Sequence, residues 1–277
     1  MSSHRPETNP AHLLADLLRQ ARQQDPGRTQ EVLAGMLGKE RSTVSKAEQG
    51  RLPALEVLND WLAACEVSGL AESAIRGVYH LARNAEDPVT AQVAPWFDAE
   101  GKAHTLRYWQ CVVVPGILQS ERYAYELYRV GGRSHERALE EVDARMARQA
   151  ILDREEPPTV VVALDEMVLH RLIGTAETMA EQCAKLLAVS EYPSVLLHVL
   201  PGALGANPGL GGAISLASVA GEPDTLLTGS LLEDRVTVDA AQVRPASATF
   251  ERVRGVSANI MDSRDIVREA QERWSSR

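Results

Sequence analysis

The residues with the most to offer chemically cluster in one short stretch: Arg41, Ser42, Thr43, Ser45 and Lys46. On a helix, Arg41, Ser42, Ser45 and Lys46 fall at i, i+1, i+4 and i+5 and share one face. Guanidinium and ammonium groups there can donate to guanine edges or to phosphate oxygens, and the serine hydroxyls reach either. Gln30 heads the preceding helical stretch, and its side-chain amide can hydrogen-bond a phosphate or a neighbouring helix. The plain alternative is a solvated polar face, and the neighbouring elements decide between the two.

A second set lies downstream. Glu166 and His170 are spaced i, i+4, with Asp165 adjacent, so an acid and an imidazole can meet on one helix face. No second ligand pair accompanies them; a surface pair is the expected role and no metal site is assigned. His198 sits in an apolar run and reads as a core or pocket-lining histidine. Tyr108 and Trp109, with Tyr123, Tyr125 and Tyr128, concentrate aromatics in a chain that is only 4% aromatic. Core packing is their expected role, and a wall for a flat small molecule is the alternative. The glycine-rich loop 202–212, with Asn207, lacks a following helix and a Gly-Lys-Ser/Thr, so it reads as a hairpin or lid and not as a phosphate cradle. Tyr108, Trp109, Tyr123, Glu166, His170, His198 and Asn207 together are the candidate lining of a ligand pocket. No residue is assigned a catalytic role and no cofactor is expected. Cys111 has no cation or histidine beside it in sequence to activate it.

These residues need elements to hold them. A chain of 277 residues, 44% hydrophobic and 24% charged, reads as an ordinary globular protein of two domains. No uncharged apolar run reaches about 18 residues, the polar segment 1–10 has no signal-peptide core, and no membrane partner is expected. Three widely spaced cysteines give neither a disulfide framework nor zinc spacing, which suits a reducing cytoplasm. The net charge of −9 excludes indiscriminate coating of nucleic acid. Residues 13–55 nonetheless carry seven Lys/Arg against five acids, so a local basic face remains open.

Leu13, Leu14, Leu17, Leu18 and Ala21 recur at helical spacing and predict a first helix ending near Gln24, broken by Pro26-Gly27. Thr29 caps a second helix with Val32, Leu33, Met36 and Leu37 as its buried stripe. Gly38 stops it where a positive φ is needed. A third helix over 41–49 buries Val44 and Ala47 and ends at Gly50. Helices over 55–64 and 70–83 complete an all-α domain, 1–85. The polar, proline-containing stretch Asn84–Gln92 opens a linker, assigned to 86–105, that precedes a larger α/β or α+β domain, 106–277. There the pattern predicts an extended segment over 106–114, helices over 120–130 and 135–153, and a buried strand over 159–164. Leu139, Val142, Met146 and Ala150 are the stripe of the second of those helices. A helix over 178–190, strands over 195–200, 214–219, 225–228 and 236–238, and a last helix over 248–274 follow.

Thr29 to Ala34, Leu37-Gly38 and Ser42 to Gly50 resemble the XRE helix-turn-helix family. The resemblance implies that the third helix enters the major groove. Lys39, Glu40 and Ala47 depart from it, standing where an apolar residue, a capping serine and a branched residue are usual. Val114-Pro115-Gly116-Ile117-Leu118-Gln119-Ser120-Glu121-Arg122-Tyr123-Ala124 resembles the signature of an actinobacterial C-terminal domain of unknown function. Arg148 to Leu152, Leu164 to Glu166 with Leu169 to Arg171, Val199 to Pro201 and Asn207 to Leu210 fit the same family. The match thins after about residue 225, and 257–265 departs from it. The combination is similar to WhiJ-like, antitoxin-like regulators. That implies double-stranded DNA as a partner, a homodimer, and a second domain that binds a small partner protein encoded nearby or a small-molecule effector. The alternative, motivated by Lys39, Glu40, Ala47, the acidic charge and the aromatics, is a repurposed protein whose C-terminal pocket binds or transforms a small molecule.

Overall fold

A computed structural model of the chain describes residues 9–86, 88–229 and 234–277. It divides into two compact units, Met1–Ala91 and Gln92–Arg277. Of the polar segment 1–10, only Asn9 and Pro10 lie among the described residues.

The first unit is helical: α1 Pro10–Gln23, α2 Gln30–Met36, α3 Arg41–Ala47, α4 Leu55–Ala64 and α5 Gly69–Glu86. Its boundaries follow local chemistry. The Asn9 side chain accepts from Ala11 N, and Thr29 Oγ1 accepts from Val32 N at 3.2 Å, so α1 and α2 begin capped. Gly38 at φ +62° ends the α2 turn in the left-handed region, where a Cβ is penalised. The core gathers Leu14, Leu18, Leu33, Val44, Leu58, Trp61 and Tyr79. The expected stripe of α2 is corrected: Leu33, Ala34 and Leu37 are buried, whereas Val32 and Met36 are exposed. The inward face of this stretch therefore centres on Leu33, Ala34 and Leu37, which join the core of the unit.

The second unit is a six-stranded mixed sheet with helices on both faces, matching the α/β or α+β expectation. In chain order it holds the greater part of α6 Pro88–Lys102, then β1 Thr105–Gln110, α7 Glu121–Val130, α8 His135–Gln149, β2 Thr159–Asp165, α9 Glu166–His170, α10 Ala176–Val189 and β3 Val195–Leu200. β4 Ile214–Ser218, β5 Thr225–Gly229, β6 Asp234–Thr237, α11 Ala240–Val256 and α12 Ile260–Ser275 complete it. The strand order is β3-β2-β1-β4-β5-β6. The first three strands pair in parallel and the remaining pairings are antiparallel. β2, parallel-paired on both sides, is the continuous apolar run of the sequence.

Alternation along the strands builds two cores. Leu106, Tyr108, Val160, Val162 and Leu164 pack with Leu186, Val267 and Trp274. Trp109, Val161, Ala163 and Leu216 pack with Val243, Phe250 and Val253 of α11 on the other face.

Three expectations change here. The segment 86–105 is helical over α6, and Trp96, Ala99 and Ala103 join the first of these cores. The single helix over 248–274 is two helices, because the chain rounds the outer edge of β3 between them. Ala258 N donates to Val199 O at 2.8 Å, and Val199 N donates to Ser263 Oγ at 2.9 Å, which seals that edge. In α8 the buried positions are Ala138, Glu140, Val142 and Gln149, while Leu139 is exposed, since this helix turns polar groups inward.

Candidate nucleic-acid interface and the signature loop

α2, the Gly38 turn and α3 form two short helices joined tightly, with Lys39 N donating to Ala34 O at 3.0 Å. Val44 and Ala47 anchor α3 in the core. Its opposite face exposes Arg41, Ser42 and Lys46, with Thr43 and Ser45 half-buried. Ser45 Oγ accepts from Gln49 Nε2 at 3.2 Å, and Ser42 Oγ donates to Glu40 Oε2 at 3.3 Å. Glu40 occupies the N-cap position without a side-chain capping bond. Arg41 Nε lies 4.0 Å from Glu31 Oε2 with both side chains largely exposed, a contact that water screens.

The end of α3 is held by the buried carboxylate of Glu48, whose partners local sequence patterns do not single out. Glu48 receives Arg22 Nε at 2.6 Å, Arg22 Nη2 at 3.1 Å and Gln30 Nε2 at 2.8 Å. Arg19 Nη2 donates to the Glu48 carbonyl, and Arg22 Nη1 donates to Arg28 O at 3.0 Å. Gln30 thus braces α3 directly through Glu48. It also lines a cleft of about 340 Å³ with Arg22, Pro26, Thr29, Glu31 and Arg41. Of the seven cations in 13–55, Arg19, Arg22 and Arg28 are engaged inside the unit, whereas Lys39, Arg41, Lys46 and Arg51 are exposed. The basic face is therefore concentrated on α3 and its flanking turns.

The seven candidate pocket residues do not gather in one place. Tyr108 and Trp109, adjacent in β1, point to opposite faces of the sheet. Tyr108 Oη donates to buried Glu100 at 2.7 Å, and Tyr123 Oη accepts from Val114 N at 3.3 Å. His198 Nδ1 lies 3.0 Å from Ala258 O at the sealed edge of β3. Arg273 Nη1, which can only donate, lies 3.1 Å from His170 Nδ1. His170 Nε2 lies 3.2 Å from Glu166 Oε1 and 3.4 Å from the same Arg273 Nη1. The other Glu166 oxygen accepts from Gly202 N at 2.8 Å. That backbone bond, more than His170, holds the Glu166 carboxyl below its ordinary range.

The same contact ties down the glycine-rich loop. Asn207 Oδ1 accepts from Gly209 N at 2.8 Å, and Trp109 Nε1 donates to Gly209 O at 2.9 Å. Neither the cleft beside Gln30 nor a groove of about 270 Å³ along α8 and α10 is lined by any of the seven. Burial raises the pKa of the Cys111 thiol.

The segment 114–120 instead owes its shape to glutamines. Gln119 Nε2 donates to Val114 O at 2.6 Å, and Gln149 Nε2 to Gly116 O and Gln119 O at 3.0 and 2.8 Å. Gln182 Nε2 donates to Leu118 O at 2.9 Å while its oxygen accepts from Ser120 N at 2.7 Å. A buried loop with no ladder partner thus has backbone groups satisfied by side-chain amides from α8, from α10 and from the loop itself.

A family model described as a domain of unknown function (DUF5753) matches residues 93–269. The chain belongs to the DUF5753 family. A second model, described as a helix-turn-helix domain, matches residues 13–74. No curated protein and no solved structure matches the chain. The DUF5753 match runs to residue 269, through the stretch after 225 where the signature resemblance thins. The DUF5753 region carries no assigned activity, while the helix-turn-helix domain supports DNA as a partner. No helix among the described residues is long and apolar enough to cross a membrane.

Proposed function

We propose that this protein is a sequence-specific, DNA-binding transcriptional regulator of the XRE type, working in the cytoplasm. In this reading a homodimer engages a pseudo-palindromic operator, each protomer laying α3 in a major groove. The observation that carries the reading is the α3 face. Arg41, Ser42 and Lys46 stand exposed on a helix whose other side is fixed by Val44, Ala47 and the Glu48 brace. Thr43, Ser45 and the Gln30 cleft flank that face, where phosphate oxygens would lie.

The DUF5753 region is the sensing half, coupling DNA affinity to a small partner protein or a small molecule through a preference between two states. Its likeness to antitoxin-like actinobacterial regulators supports a partner encoded nearby. Binding to the DNA upstream of the protein's own gene, against a scrambled duplex, tests the reading. With Lys39, Arg41, Lys46 and Arg51 each neutralising one phosphate, log K falls with log salt at a slope of roughly −3 to −4 per protomer. Equal affinity for the scrambled duplex would reject sequence-specific recognition.

A further inference from the structure

We infer that Arg145 and Arg148, converging beside Gly116, form a clamp for the carboxylate group of a small organic acid.

The two arginines stand three residues apart on α8, on the side that meets the 114–120 segment. Each guanidinium lies on an aromatic ring: Arg145 Cζ is 4.4 Å from the Tyr128 centroid, and Arg148 Cζ is 3.9 Å from that of Phe97. The rings cover one face of each guanidinium, so an added acceptor has to approach through the in-plane N–H groups that Gln119 and Glu100 do not use. Both reach the one residue of the segment that has no side chain. A Cβ built on Gly116 would lie 3.5 Å from Arg145 Nε and 3.7 Å from Arg148 Nη2.

Charge at this place is unbalanced. The carboxylate in contact is Glu100, buried, 3.5 Å from Arg148 Nε and already accepting from Tyr108 Oη at 2.7 Å. Arg145 donates to the neutral Gln119 Oε1, and its Nε is buried with no hydrogen-bond partner. Glu141, the other acid near Arg145, is committed to Arg133 and Arg137 at 3.0 and 2.9 Å. Burial lowers the Arg145 pKa, and the charge of Arg148 pushes the same way. Two guanidiniums therefore have one carboxylate within salt-bridge reach, with Glu141 acting on Arg145 from beside its own two arginines, and a further negative charge is favoured there. A planar carboxylate matches both the charge and the in-plane fork. A phosphate dianion would leave a surplus charge beside Glu100. Phe97 and Tyr128 flank the clamp, so acids with a flat apolar body are preferred. The Arg148 side chain is 27% exposed, so the site opens to solvent at its Arg148 end.

Binding here stands apart from DNA recognition, while its use as an effector site rests on the regulatory reading. The test is a set of arginine side-chain 1H–15N spectra of the full chain without DNA. The protein is titrated with benzoate, acetate, inorganic phosphate and chloride at matched ionic strength. Benzoate is expected to shift, saturably, the two Nε resonances that Arg145→Lys and Arg148→Lys identify, at least about tenfold more tightly than phosphate. Gly116→Ala has room for its methyl at van der Waals distance and keeps both arginines, so it serves where the Lys variants fold poorly; it is expected to weaken binding about tenfold. Saturable shifts absent for both carboxylates, an equal response to phosphate or chloride, or unchanged binding in Gly116→Ala would each overturn the clamp. None of these readouts involves DNA, so failure here and failure of operator binding remain distinguishable.

Discussion

Arg22 and Glu48 meet through two contacts, Nε to Oε1 at 2.6 Å and Nη2 to Oε2 at 3.1 Å, inside the helical unit. The side chains are 12% and 3% exposed, so neither charge has much water to fall back on. Glu48→Ala leaves Arg22 buried without its counter-ion and is expected to cost about 3–5 kcal/mol of stability. Arg22→Met/Glu48→Leu, which removes both charges, is expected to cost less than that single change. Denaturant unfolding of the three proteins checks the order. A Glu48→Ala variant as stable as the parent would remove the brace from the account.

Gln182 closes the 114–120 segment from α10, donating to Leu118 O and accepting from Ser120 N. Gln182→Leu keeps the volume and strands both backbone groups, at an expected cost of about 1–3 kcal/mol for each unsatisfied group. Hydrogen exchange at Ser120 N reads the effect directly: faster exchange is expected, and unchanged protection would mean that the amide is not the segment's anchor.

Gly209 is where the glycine-rich loop touches the sheet. An added Cβ there would come within 2.3 Å of the fully buried Trp109 ring. Gly209→Ala is therefore expected to displace that ring, cost about 1–3 kcal/mol and alter tryptophan emission. Gly211→Ala, whose Cβ would meet nothing within 4 Å, is the control expected to behave as the parent.

Acid titration reads the Glu166 contact. The Gly202 N–H holds the folded-state pKa of Glu166 below 4.5, so its stabilising contribution is present above that value. The contribution is lost as pH falls through the depressed folded value. Glu166→Gln is expected to be less stable than the parent at neutral pH, with the gap closing as the pH falls below 4.5. Melting temperatures across that range check it, and a gap independent of pH would contradict the assignment.

Much of this architecture is legible in local patterns. Thr29, Gly38, Val44 and Ala47 place α2, the turn and α3, because caps, left-handed turns and apolar spacing are local properties. The apolar run 159–164 marks β2 because a strand parallel-paired on both sides needs no polar face. What is not legible is set at a distance. Glu48 is drawn to Arg22 across 26 positions of chain, with no helical spacing to announce it. Val32 and Met36 share a periodic stripe with Leu33 and Leu37, and only packing into the core of the unit decides which pair turns inward. The aromatic cluster of Tyr108 and Trp109 dissolves once β1 is a strand, since neighbours on a strand face apart. The break at Ser257 follows from the need to round the edge of β3, and its local mark is the Asn259 cap that accepts from Asp262 N at the start of α12.

The central claim is that α3 reads DNA, and fluorescence anisotropy on the upstream duplex tests it most directly, with the parent beside Arg41→Ala/Lys46→Ala. Both side chains are exposed, so their truncation should leave the fold intact. The account predicts tight, salt-sensitive binding by the parent. It also predicts that the double variant loses that binding, with the salt slope reduced by about two per protomer. A folded double variant that binds the duplex as the parent does would contradict it.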